Sequence, residues 1–167
     1  MKPNLLGFEA QTRTIQWTLA AIFVVAVGFN YPWELAHAPL YVGMDSFSNT
    51  WRVCLLAALG DGLLVLLIFA VGWMALRRRD WFARPGVRGY LLMLAVGLVI
   101  GIGVELFAIY ALKRWEYTAR MPLVPWLGVG LTPIAQMVVL PPLIFRVVAA
   151  WRGRAVMNSA EGDSSIE

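Results

Sequence analysis

Residues 90–112 read YLLMLAVGLVIGIGVELFAIYAL, and this stretch decides the fold. From Tyr90 to Leu112 the only ionisable acid or base is Glu105, and a helix of about 20 apolar residues spans the ~30 Å of hydrocarbon in a bilayer. Three more runs of similar length stand around it, Ile15 to Tyr31, Val53 to Leu76 and Leu123 to Phe145. The spacing predicts an all-α, integral membrane bundle of four transmembrane helices over 1–154, followed by a polar, acidic tail over 155–167 that reads as disordered.

Composition agrees with this. The chain of 167 residues is 60% hydrophobic and only 14% charged, against about 45–50% apolar in ordinary soluble domains. The first run follows the polar residues Glu9, Gln11, Thr12 and Arg13 and is not trailed by a small-x-small cleavage site, so it is expected to stay as a helix. One cysteine, Cys54, and one histidine, His37, exclude an internal disulfide and a histidine-rich metal or haem centre within one chain. No metal and no cofactor is expected.

Basic residues are unevenly placed. Lys2, Arg13, Arg77, Arg78, Arg79, Arg84, Arg88, Arg146, Arg152 and Arg154 fall on one side of the four spans, and Arg52, Lys113, Arg114 and Arg120 on the other. Cytoplasmic loops collect Lys and Arg. The expected location is therefore a bacterial cytoplasmic (inner) membrane, multi-pass, with the N- and C-termini cytoplasmic. Topology accounts for the arginines without any nucleic acid partner.

Local signals refine the spans. Pro32 need not end the first helix, because transmembrane helices tolerate proline, and Pro39 is the better stop. Trp33, Tyr41 and Trp51 suit an interface, the second helix is expected to start near Trp51, and Pro85 with Gly86 marks the turn before a third helix near Tyr90. The fourth run holds Gly128, Gly130, Pro133, Pro141 and Pro142, which predicts a kinked or partly broken helix.

An ionisable side chain in hydrocarbon costs about 2.5–3.5 kcal/mol on insertion scales, so each one implies a partner, a cavity or a function. Asp61 and Glu105 are the two that stand within the spans, both roughly 10–14 Å below the same surface at ~1.5 Å per residue. Gly97, Gly101 and Glu105 share one helix face. Ala57, Ala58, Gly60 and Gly62 around Asp61 would admit a close neighbour. Thr132 and Gln136 lie at the same level of the fourth run, while the opposite halves of the spans carry no ionisable group. A polar pocket in the outer half is the expected arrangement. Asn30, Glu34 and His37 share a face at its mouth, and Glu34 with His37 forms a candidate acid–base pair.

The stretch Glu105, Arg114, Trp115, Glu116, Tyr117, Met121, Pro122, Pro125, Gly128 and Pro133 to Gln136 resembles the integral-membrane lycopene cyclases and carotenoid hydratases. That resemblance implies an intramembrane carboxylate followed by an aromatic-x-aromatic pair, and a further helix opening on a proline-centred polar motif. Gln136 departs from the cyclase pattern, which has acidic residues near this position. A second resemblance, through Tyr31 to Ala36 and Leu59 to Asp61, is to small four-helix bacterial membrane proteins, and it implies a compact unit without supplying an activity.

Two functions remain open from the sequence. In one, Asp61 and Glu105 are catalytic acid–base groups acting on a lipophilic isoprenoid or polyene, with Glu34, His37, Trp115, Tyr117 and Gln136 as substrate contacts. A water-poor site favours the proton-carrying form of a carboxyl, which acid chemistry on a double bond requires. In the other, the carboxylates hydrogen-bond to Gln136, Tyr110 or Lys113 and hold together a non-catalytic membrane-complex subunit or lipid-binding module. The expected partners are the membrane, an isoprenoid-like lipid, and either a second copy of the chain or another membrane protein. A channel is disfavoured, because nothing polar lines a path across the opposite half.

Overall fold

The computed structural model describes the backbone of residues 5–164, and side chains over 12–153 apart from residue 49. Four helices make an all-α bundle: α1 (Leu5–His37), α2 (Phe47–Leu76), α3 (Gly86–Leu106) and α4 (Leu131–Ser164). Each contains a segment long and apolar enough to cross a membrane: Thr12–Leu40 (α1 with the turn after it), Thr50–Leu76, Gly86–Ala111 (α3 with the turn after it) and Leu131–Gly153. The helices run alternately up and down. α1 packs on α2 and α4, and α3 packs on α4, while α2 and α3 meet much more loosely.

Several boundaries differ from the expected ones. α1 runs through Pro32 and ends at His37, where the short 3₁₀ turn Ala38–Leu40 takes over at Pro39. α2 begins at Phe47 and α3 at Gly86, each about one turn before the expected start. The fourth helix does not begin at Leu123. Residues 123–130 form a tight hairpin instead, closed by the Leu123–Gly130 bridge and by the Val124 N–H donating to the Val129 carbonyl at 2.8 Å. Pro122 and Pro125 withhold backbone donors there, and Gly128 takes φ +65°, a conformation that suits glycine. Past Leu131, α4 is continuous through Pro141 and Pro142. It also continues as helix to Ser164, where a disordered tail was expected from residue 155. Residues 165–167 lie outside the described residues.

Two ends of the bundle are built from different material. At the α2–α3 turn the core is aromatic. Trp81 and Phe82 fold back into the bundle, and both rings meet Phe145 with centroids 5.6 and 5.8 Å away. The Trp81 indole donates to the Phe69 carbonyl at 3.1 Å, so its one polar atom is satisfied. Gly72 makes room for that ring, since a Cβ there would overlap it. Around this plug lie Ile22, Val65, Ile68, Met93, Ile144 and Val148, all at most 1% exposed.

The opposite end is tied by loops. The Val42 N–H donates to the Glu116 carbonyl and the Thr118 N–H to the Leu40 carbonyl, both at 2.9 Å, clamping the α1–α2 loop to the α3–α4 loop. Gly97 and Gly101 bring α3 against α4. A Cβ at Gly97 would overlap the Met137 carbonyl oxygen, and one at Gly101 would come within 3.1 Å of Ile134 Cα. This is the close small-residue approach that transmembrane helices use.

Candidate functional site

At the loop-tied end, the four helices enclose a cavity of about 320 Å³. Glu34 from α1, Asp61 from α2, Glu105 from α3 and Gln136 from α4 all line it, with His37, Tyr41 and Trp115 nearer the loops. The structure thus brings Asp61 and Glu105 to one cavity, each with its own set of partners. Among the described residues no Lys or Arg lines it.

Gln136 is the hub. It is 1% exposed, and its Nε2 lies 2.8 Å from Asn30 Oδ1, 2.9 Å from Glu34 Oε1 and 2.8 Å from Asp61 Oδ2. A primary amide has two N–H donors, so three acceptors converge on two protons. Asn30 is held in place from behind, its own amide donating to the Ala26 carbonyl at 2.8 Å. One side chain of α4 thereby joins α1 and α2. His37 completes this side, with Nε2 3.6 Å from Glu34 Oε2 and Nδ1 buried without a hydrogen-bond partner.

Glu105 is 3% exposed and is served from the loop. The Tyr117 hydroxyl donates to Glu105 Oε2 and in turn accepts from the Gly130 N–H at 2.8 Å. The Trp115 indole N–H is buried close to this pair, with no hydrogen-bond partner among the described residues. How the loop reaches Glu105 is a matter of helix geometry. One residue after Leu106 the helix widens into a π turn, Phe107–Ala111, in which the Leu112 N–H reaches the Phe107 carbonyl at 3.0 Å. Lys113 then takes φ +47°, reversing the chain so that Trp115 and Tyr117 return beneath the helix end. π turns of this kind concentrate at functional sites.

Burial, followed by the hydrogen bond to Glu105, pushes the Tyr117 phenol above its ordinary range, so it stays a donor at neutral pH. Tyr41 is pushed up as well, by burial and then by the negative charge of Glu105 and Glu34. Its ring contacts His37, Trp115 and Tyr117 at centroid distances of 5.6–5.9 Å.

Not every expected residue takes its expected place. Tyr117 does not line the cavity and acts as the support of Glu105. Neither Tyr110 nor Lys113 partners Glu105; the Tyr110 hydroxyl donates to the Leu127 carbonyl at 3.1 Å on the outer surface. Thr132 turns to Met121 Sδ at 3.3 Å, away from the Gln136 cluster. Around Asp61 the small residues divide. Gly62 lies against Phe23 and Val27 of α1, whereas Gly60 is exposed with no atom within 4 Å of a Cβ position.

Tyr41, read from sequence as an interfacial anchor, lines the cavity, and so does Cys54. Tyr41 carried a usable signal, since it stands four residues beyond His37, but the 3₁₀ turn that aims it inward is not visible in residue spacing. Among the described residues no group of three or more His, Cys, Asp or Glu side chains is arranged to hold a metal ion. Comparison with known protein families, with curated proteins and with solved structures finds no match to this chain.

Proposed function

We propose that this chain is a membrane enzyme that moves a proton on a lipophilic isoprenoid or polyene, with Asp61 and Glu105 as the acid–base groups. The observation that carries this reading is the convergence of Glu34, Asp61 and Glu105, from three helices, on one cavity that no Lys or Arg lines. Unneutralised carboxyls in an apolar bundle are costly. Two of them, Glu34 and Asp61, compete for one amide nitrogen. A proton on Asp61 relieves the competition, and Glu105 on the same cavity is then available as the base.

In the proposed reaction the carboxyl proton adds to one carbon of a substrate double bond, giving a cation on the next. The faces of Tyr41 and Trp115 stabilise positive charge beside it. The second carboxylate removes a proton from an adjacent carbon, so the double bond moves and the enzyme's proton count is restored. Positioned acid–base groups contribute about 10²–10⁴-fold. Glu34, His37, Trp115 and Gln136 supply the surrounding contacts, with Tyr117 acting through Glu105.

The arginine distribution supports a bacterial cytoplasmic membrane with both termini inside, which puts the cavity in the outer half of the bilayer. Alkylation of single cysteines introduced at residues 45 and 80 tests this: only the first is expected to react with an impermeant reagent in intact cells.

A second reading, a non-catalytic subunit or lipid-binding module, is favoured by the Gln136 hub, which joins three helices by itself. Asp61→Asn and Glu105→Gln distinguish the two. Both keep acceptors in place, so the enzyme reading expects folded protein with turnover reduced by about 10²-fold or more. The assay lipid comes from untargeted lipid analysis of a strain lacking the chain. Undiminished product in the variants rejects the acid–base assignment, and recovery of one stoichiometric protein partner with an unchanged lipid profile supports the subunit.

A further inference from the structure

The cavity has hydrogen-bonding capacity that the protein leaves unused. Tyr41 is 8% exposed and lines the cavity, yet its hydroxyl has no hydrogen-bond partner among the described residues. His37, 7% exposed, also lines it, and its buried Nδ1 has no hydrogen-bond partner among the described residues. Opposite them, three acceptors crowd the two protons of Gln136. The cavity therefore offers an idle hydroxyl donor and has acceptors in excess. A ligand that suits both must accept one hydrogen bond and donate another, and a hydroxyl is the smallest group that does so.

Charge narrows the class further. With three carboxyls and no Lys or Arg in the lining, a phosphate would be placed against like charge without a counterion. Access is lateral. Val53, Gly60 and Val104 line the cavity and are also exposed, on the flank where α2 and α3 pack more loosely than α1 does on α2 or α3 on α4. The face Val53, Ala57, Gly60, Leu64 of α2 and Val104 of α3 is wholly apolar, as the hydrocarbon part of a lipid requires.

We infer that the cavity takes a lipid alcohol sideways from the bilayer between α2 and α3, its hydroxyl among Tyr41, His37 and the Asp61–Gln136 cluster, and that it rejects the corresponding phosphate. This names the substrate class for the site proposed above and rests on reading the cavity as a ligand site, though not on its chemistry.

Equilibrium binding of tritiated geranylgeraniol and of geranylgeranyl monophosphate to the full chain in nanodiscs tests it. The alcohol is expected to bind about tenfold or more tighter than the phosphate. Tyr41→Phe, which deletes the idle hydroxyl and keeps the ring contacts, is expected to weaken the alcohol about tenfold. Gly60→Leu, at a position where a side chain meets nothing, is expected to slow association by a similar factor. Equal or tighter binding of the phosphate, no binding of the alcohol, or indifference to either variant overturns the inference. Asp61→Asn protein that binds the alcohol normally and turns substrate over at the wild-type rate leaves it standing and removes only the acid–base reading.

Discussion

Gln136 shows how much a single side chain can decide in a bilayer. Its amide nitrogen meets acceptors on α1 and α2 at 2.8–2.9 Å, and the residue is almost wholly buried. Gln136→Leu leaves Asn30, Glu34 and Asp61 without their shared donor, and unmet buried polar groups cost about 1–3 kcal/mol each. The variant is expected to lose at least that much in an SDS unfolding titration, against little change for Thr132→Val, whose hydroxyl serves only Met121. Tyrosines give the pH dependence. Tyr41 and Tyr117 are held above the ordinary phenol range, so folding protects their protons. Their contribution is complete below the unfolded value of about 10 and falls as pH rises beyond it. Absorbance at 295 nm is expected to show both still neutral at pH 11 in folded protein, with the late component reduced in Tyr117→Phe.

At the scale of elements, α3 is the member whose sequence and structure agree most closely until its last turn. The face Gly97, Gly101, Glu105 was legible because a four-residue repeat of small residues has one geometric meaning in a helix, and all three residues are buried. Gly97→Val drives a side chain into the Met137 carbonyl, and overpacking of this sort costs about 1–3 kcal/mol. Gly103→Ala, on the open side of the same helix, is expected to be neutral; equal melting temperatures for the two variants would contradict the packing described. The π turn after Leu106 was not legible, since no residue type in Phe107–Ala111 demands a wider turn. The fourth helix was placed eight residues early for a related reason. Leu123, Val124, Trp126 and Leu127 are apolar enough for a span, but the prolines and glycines among them close a hairpin whose tip, Trp126, is fully exposed.

For the whole molecule, the division into an aromatic plug and a polar cavity is the main organising fact. Trp81 and Phe82 fill the α2–α3 end as part of the buried hydrophobic cluster. Trp81→Ala is expected to cost about 3–5 kcal/mol, as large aromatic deletions do. The surviving folded protein should retain lipid binding at the other end; concurrent loss of binding and stability would mean the two ends are coupled. None of the residues of this core cluster lines the cavity.

The amino-acid sequence by itself determined that four helices cross a membrane, which helix faces are crowded, and that Asp61 and Glu105 lie at similar depth. Each of these follows from hydrophobicity and helical spacing along one segment. Only tertiary structure decided which partners the carboxyls take, because Gln136 and Tyr41 reach the cavity, and Tyr117 reaches Glu105, from segments distant in sequence. The directions of Tyr117 and Tyr41 are set by a π turn and a 3₁₀ turn, where the three-to-four-residue period of the α-helix no longer says where a side chain points.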